Sequence, residues 1–232
     1  MMPESISLAG QSVDFDQPRG LLGDGEPRLF VIGDSQACGT TGAPSQTAKD
    51  VDLNGTPAHV FCKVGAHTSE FASVVPTLDL ARGDAVLVFL GSNDYDSKPD
   101  PTAIVNAIKA TGATYLWVGP PSIHGKPGTA PAHLQSVLGD NYFDSHTLDL
   151  KLRDEIHPTP SEFARWRSAV LAEVAARGMI KGRGASAFER AFAALRRPAI
   201  AAAAALGVVA VGGGIYWVAT RPAPRRLPAR AA

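Results

Sequence analysis

The sequence predicts an α/β domain built on a five-stranded parallel sheet. Three observations carry that expectation. Short apolar runs recur between residues 28 and 180, the segments between them place apolar residues at helical spacing, and Gly, Asp and Ser cluster where the runs end. Strands alternating with helices are the pattern of a parallel sheet covered on both faces.

Taken in order, residues 1–27 are polar and rich in Gly, Asp and Pro, and read as an irregular lead-in. The strand segments are 29–32, 59–64, 85–90, 114–118 and a weaker 141–143. Between them, Phe71, Val74, Val75 and Leu78 fall on one helical face, as do Ile104, Val105 and Ile108 after Asp100-Pro101, a pair suited to a helix start. The last helix of the domain follows Thr159-Pro160-Ser161-Glu162, which reads as a capping box, and carries Phe163, Trp166, Val170 and Val174 on one stripe. The domain is therefore expected to span residues 28–180.

Beyond it the composition changes. Residues 181–198 form a basic linker, residues 199–219 carry no charge, and residues 220–232 form a Pro- and Arg-rich tail. An uncharged helix of this length spans a hydrocarbon core of about 30 Å, and Tyr216-Trp217 lies where an interfacial aromatic belt belongs. A transmembrane helix is the expectation for 199–219. An Ala-rich helix buried in an oligomer is the alternative, favoured by the run 201–205. Arg residues flank the segment on both sides, so orientation and oligomeric state stay open.

The chain of 232 residues has a formal net charge of zero and 45% hydrophobic content, enough for one sizeable core. The charge is unevenly spread, with 13 basic against 21 acidic residues in 1–180 and 9 against 1 in 181–232. An acidic body argues against a nucleic-acid surface there and leaves only the basic tail to contact polyanions. Cys38 and Cys62 lack metal-site or redox spacing and are expected to be buried free thiols, with a single disulfide as the alternative in an exported domain. The N-terminus lacks the basic start and apolar core of a secretory signal, which makes a cytoplasmic catalytic domain with a C-terminal anchor the default.

The chemistry lies where strands end. Ser35 follows the first strand through Gly33-Asp34, placing a hydroxyl at the carboxyl edge of the sheet. Gly65 in Val64-Gly65-Ala66-His67 offers an unobstructed backbone N–H, and Asn93 in Gly91-Ser92-Asn93-Asp94 offers a side-chain amide. Asp154 precedes His157 by three residues and can fold back to orient the imidazole. Each motif alone reads more simply as a turn or a cap. Their order along the chain is what points to acyl transfer, which needs a hydroxyl, a proton shuttle and donors at an oxyanion.

In these residues the chain resembles the SGNH, or GDSL, hydrolase family, over about residues 28–178. The resemblance implies a flavodoxin-like three-layer α/β/α fold, with Ser35 as nucleophile, His157 as general base and Asp154 as its orienter. It also implies an oxyanion hole from the Ser35 and Gly65 N–H groups and the Asn93 amide. Gln36-Ala37-Cys38-Gly39 departs from the residues that often follow the family's serine, and the Gly-x-Ser-x-Gly elbow of the α/β-hydrolases is absent. His67, two residues past Gly65, is a candidate substrate contact, although an exposed loop imidazole is the commoner role. His59, His124, His133 and His146 share no spacing and read as surface or satisfied polar residues, while Asp94 and Asp96 read as turn organisers. No metal and no cofactor are called for.

The expected activity is that of a serine esterase acting on a small-molecule or glycan ester, whether an acetylated sugar, a lipid or a thioester, through an acyl-enzyme. The alternative is a membrane-anchored or assembly-associated module that holds a glycan on the same fold without turning it over. Residues 120–131 form the variable loop expected to shape the pocket.

Overall fold

The computed structural model describes residues 6–8, 11–13, 27–126 and 128–180. The linker, the uncharged segment and the basic tail expected over 181–232 lie outside the described residues, as does most of the lead-in. Within that lead-in, β1 (Ile6–Leu8) and β2 (Gln11–Val13) pair antiparallel, so it is not wholly irregular as expected. Among the described residues no helix is long and apolar enough to cross a membrane.

The body is an α/β unit around a six-stranded, mostly parallel sheet. Its strands are β3 (Leu29–Gly33), β4 (Thr47–Leu53), β5 (Thr56–Cys62), β6 (Ala85–Phe89), β7 (Thr114–Val118) and β8 (Tyr142–Phe143), in the spatial order β4-β5-β3-β6-β7-β8. The five expected strands all form, and their sheet is parallel from β5 through β8. The sixth, β4, was not anticipated and adds an antiparallel edge. Asn54 and Gly55, both left-handed at φ 57° and 86°, make the two-residue turn that folds β4 onto β5. Asn-Gly adopts that conformation at low steric cost and matches the twist of a hairpin. The charges Lys49, Asp50 and Asp52 on β4 protect the exposed edge from pairing with another chain.

Alternation along the central strands divides the core. Phe30, Ile32, Val86 and Val88 join one apolar cluster with Phe71, Ile104, Ile108 and Leu134. Leu29, Val31, Leu87 and Phe89 join another with Ala37, Phe163, Trp166 and Val170. Successive side chains on a strand point to opposite faces, so helices cover both sides. On the first side lie α2 (Thr68–Val74), α3 (Thr102–Thr111) and α4 (Thr129–Leu138); on the second lie α1 (Ser35–Thr41) and α5 (Pro160–Ala176). Trp166, fully buried, donates its indole N–H to Ser145 Oγ at 2.9 Å while its ring meets Phe89 edge-on.

Two local expectations are corrected. The capping box does not close at the start of α5: the Thr159 hydroxyl faces Ser161 Oγ at 3.2 Å, and Glu162 pairs with Arg165 one turn on at 2.6 Å. A guanidinium within reach is a better partner for the carboxylate than a backbone N–H. Cys38 and Cys62 are joined in a disulfide rather than free, with Cα atoms 5.4 Å apart. Parallel pairing sets Cys62 beside Gly33, and Cys38 lies one helical turn into α1, so their approach is a product of topology that linear spacing does not reveal.

Candidate active site

The strand order reverses between β3 and β6, since the chain leaves β3 toward one edge and β6 toward the other. Open α/β sheets form a crevice beyond the strand ends at such a point. Ser35 and Asn93 follow these two strands. Gly33 makes the approach possible, because a Cβ there would lie 2.1 Å from the Phe89 carbonyl oxygen. No residue with a side chain fits between the two strand ends without moving them.

Ser35 is the first residue of α1, and Asp34 caps the helix by accepting the Gln36 N–H at 2.8 Å. Facing it, residues 151–159 form a small loop closed by a bridge between Leu152 and Pro158 and by hydrogen bonds from the Arg153 N–H to the His157 carbonyl and from the Thr159 N–H to the Lys151 carbonyl. Asp154 sits at the tip. Its Oδ1 accepts the His157 N–H at 2.6 Å and the Ile156 N–H at 3.2 Å, and its Oδ2 lies 2.9 Å from His157 Nδ1. The other ring nitrogen, Nε2, lies 2.9 Å from Ser35 Oγ, a contact made across 122 residues of sequence. Gln36 Nε2 ties the two segments further by donating to the Ile156 carbonyl at 3.0 Å.

An ionised carboxylate only accepts, so Asp154 fixes the proton on Nδ1 and leaves Nε2 to accept from the serine hydroxyl. The backbone N–H of His157, then its imidazole, hold the Asp154 carboxyl well below the usual carboxylate range. It stays ionised wherever an imidazole can act as a base.

Asn93 joins the other two segments. Its Nδ2 donates to the Ala66 carbonyl at 2.8 Å and reaches toward Asp34 Oδ2 at 3.4 Å. The expected oxyanion donor is thus hydrogen-bonded to the neighbours of both Gly65 and Ser35. The second contact is long, so that N–H can turn to a stronger acceptor with little loss. Gly65 is left-handed at φ 78°, and the space where its Cβ would stand is open.

Asp34 is a participant that sequence reasoning passed over. Its carboxyl is wholly buried, and burial pushes its pKa up to about 7 against the pull of the Gln36 N–H and of Ser92, with the Asp94 charge adding to the rise. Adjacent to Ser35 and facing Asn93, it lies under both. The Gly-Asp-Ser motif contained it, but no spacing told its burial.

His67 is half-exposed, with Nδ1 2.9 Å from Asp94 Oδ1. The other Asp94 oxygen accepts the Thr68 N–H and hydroxyl at 2.8 and 2.6 Å, so Asp94 organises its surroundings as expected. The remaining histidines are mostly paired: His59 with Asp50 across β4 and β5, His146 with Asp144 at 3.9 Å and His124 with Glu155 at 3.1 Å. No family model and no curated protein matches the chain.

Proposed function

We propose that the chain is a serine esterase of the SGNH hydrolase type, which cleaves a carboxylic ester through an acyl-enzyme. The observation that carries this reading is the continuous relay from Ser35 Oγ through His157 to Asp154, two contacts of 2.9 Å each. The strand order supports it: counting only the parallel strands in chain order, β5-β3-β6-β7-β8 is the 2-1-3-4-5 order of flavodoxin-like folds.

In this mechanism Ser35 Oγ attacks the ester carbonyl carbon while its proton passes to His157 Nε2. The carbonyl oxygen becomes an oxyanion held by the Ser35 and Gly65 N–H groups and by Asn93 Nδ2. Collapse of the tetrahedral species breaks the bond to the alcohol, which takes the proton from Nε2. Water then attacks the acyl-enzyme with His157 again as base, releasing the carboxylic acid and restoring Ser35. Asp154 stabilises the imidazolium in both halves. No metal or cofactor takes part.

The decisive experiment is Ser35→Ala assayed on a short-chain nitrophenyl ester. Hydrolysis falls by about 10³-fold or more with an unchanged circular dichroism spectrum. Turnover that persists in the variant removes Ser35 from the mechanism. A fluorophosphonate separates catalysis from glycan holding without turnover, since covalent labelling at Ser35 requires an activated hydroxyl.

A further inference from the structure

The loop between β7 and α4 bonds to both halves of the site. On either side of His124 it is fastened to Tyr95, two residues past Asn93. The Tyr95 hydroxyl accepts the Ile123 N–H at 3.0 Å and donates to the Lys126 carbonyl, while the Tyr95 carbonyl accepts the Ala130 N–H at 2.9 Å. Between these fastenings His124 meets Glu155, the residue between Asp154 and Ile156 in the tip of the acid–base loop. The His124 N–H donates to the Glu155 carbonyl at 2.8 Å, and His124 Nδ1 lies 3.1 Å from Glu155 Oε2.

Both residues are left-handed, His124 at φ 52° and Glu155 at φ 64°. That conformation is costly for any residue with a Cβ and persists where surrounding contacts impose it. Here two such residues, 31 positions apart, are bonded to each other by backbone and side chain. His124 is the non-helical residue of a short 3-10 turn, Ile123–Gly125, and neither side chain is one of the hydrogen-bonding groups of the Ser35–His157–Asp154 relay.

We propose that His124 and Glu155 are positioning residues: they latch the tip of the loop that carries Asp154 and His157, and thereby set the angle at which the imidazole meets Ser35. The latch couples the acid–base loop, through Tyr95, to the segment that carries Asn93. It rests on the reading of Ser35, His157 and Asp154 as a hydrolytic relay. The side chains are 54% and 77% exposed, so the side-chain contact itself contributes modestly, and its loss corresponds to about a three- to fivefold effect on rate.

The test is the rate of Ser35 labelling by a fluorophosphonate in the full chain, with the maximal rate separated from the half-saturating concentration. Glu155→Gly and His124→Gly delete the side-chain contact while tolerating the left-handed backbone. Each lowers the maximal rate about three- to fivefold and leaves the half-saturating concentration within about twofold. The double variant is no slower than the slower single variant, because both remove one interaction. Glu155→Gln, which keeps a hydrogen bond to His124, recovers most of the rate. Wild-type labelling rates in both glycine variants overturn the latch, as does a loss that Glu155→Gln fails to restore. Ser35→Ala serves as the reference. Labelling that survives it, or a wild-type chain that resists the probe, overturns the relay and the latch with it, a result distinct from Ser35-dependent labelling that the latch variants leave unchanged.

Discussion

Two carboxylates beside Ser35 and His157 respond to pH in opposite ways. Asp34, wholly buried, has a folded pKa of about 7, above its unfolded value. The contribution of its proton to stability is complete below about pH 4 and is lost as pH rises through 7, a difference on the order of 4 kcal/mol. Asp154, on the surface, is depressed instead, so its contribution is present above the unfolded carboxylate pKa and is lost as pH falls below that value and through the lower folded one. The windows do not overlap. In urea titrations between pH 5 and 8, Asp34→Asn should abolish a decline in stability that the parent shows; equal slopes for the two proteins would show that Asp34 does not titrate there. At the second carboxylate, Asp154→Asn replaces an acceptor with a group that can present N–H to Nδ1, which favours the wrong tautomer. Steady-state kinetics on a nitrophenyl ester should show kcat lower by about 10³- to 10⁴-fold.

Elements were legible where one local rule governed them. The stretches 29–32 and 114–118 are apolar and short, and β3 and β7 form there almost residue for residue. β4 was missed because its alternation is masked by charge on an edge, although Asn54-Gly55 was a readable hairpin signal beside it. The relay was legible because Asp154 and His157 are near neighbours and Ser35 follows a clear strand. The Asp34 burial, the disulfide and the His124–Glu155 contact were not, since each joins segments brought close only by the sheet. The disulfide shows what such a contact does: it ties the first turns of α1, which begin with Ser35, to the end of β5, three residues before Gly65. With the cysteines separated by 24 positions in sequence, closure of that loop stabilises by about 3 kcal/mol. A Cys38→Ala, Cys62→Ala double variant should melt about 6 to 12 °C lower by circular dichroism. An unchanged melting temperature would mean that sheet pairing alone holds α1 in place.

For the whole molecule the disulfide and the uncharged segment expected to cross a membrane bear on a single question, which side of that membrane the body would face. Arg residues on both flanks of 199–219 leave the positive-inside rule without an imbalance to act on. A disulfide breaks that tie, because cystines persist in oxidising compartments and are reduced in the cytosol. Cells expressing the chain, quenched in acid and alkylated under denaturing conditions, should therefore yield Cys38 and Cys62 unmodified, with both thiols appearing only after a reductant is added. Deletion of residues 196–232 tests the expected anchor separately: if that segment holds the chain to a membrane, the truncated protein leaves the membrane fraction with its Ser35 labelling by fluorophosphonate intact. Retention in the membrane fraction would move the attachment into residues 1–195, and prompt alkylation of both cysteines would place the body on the reducing side.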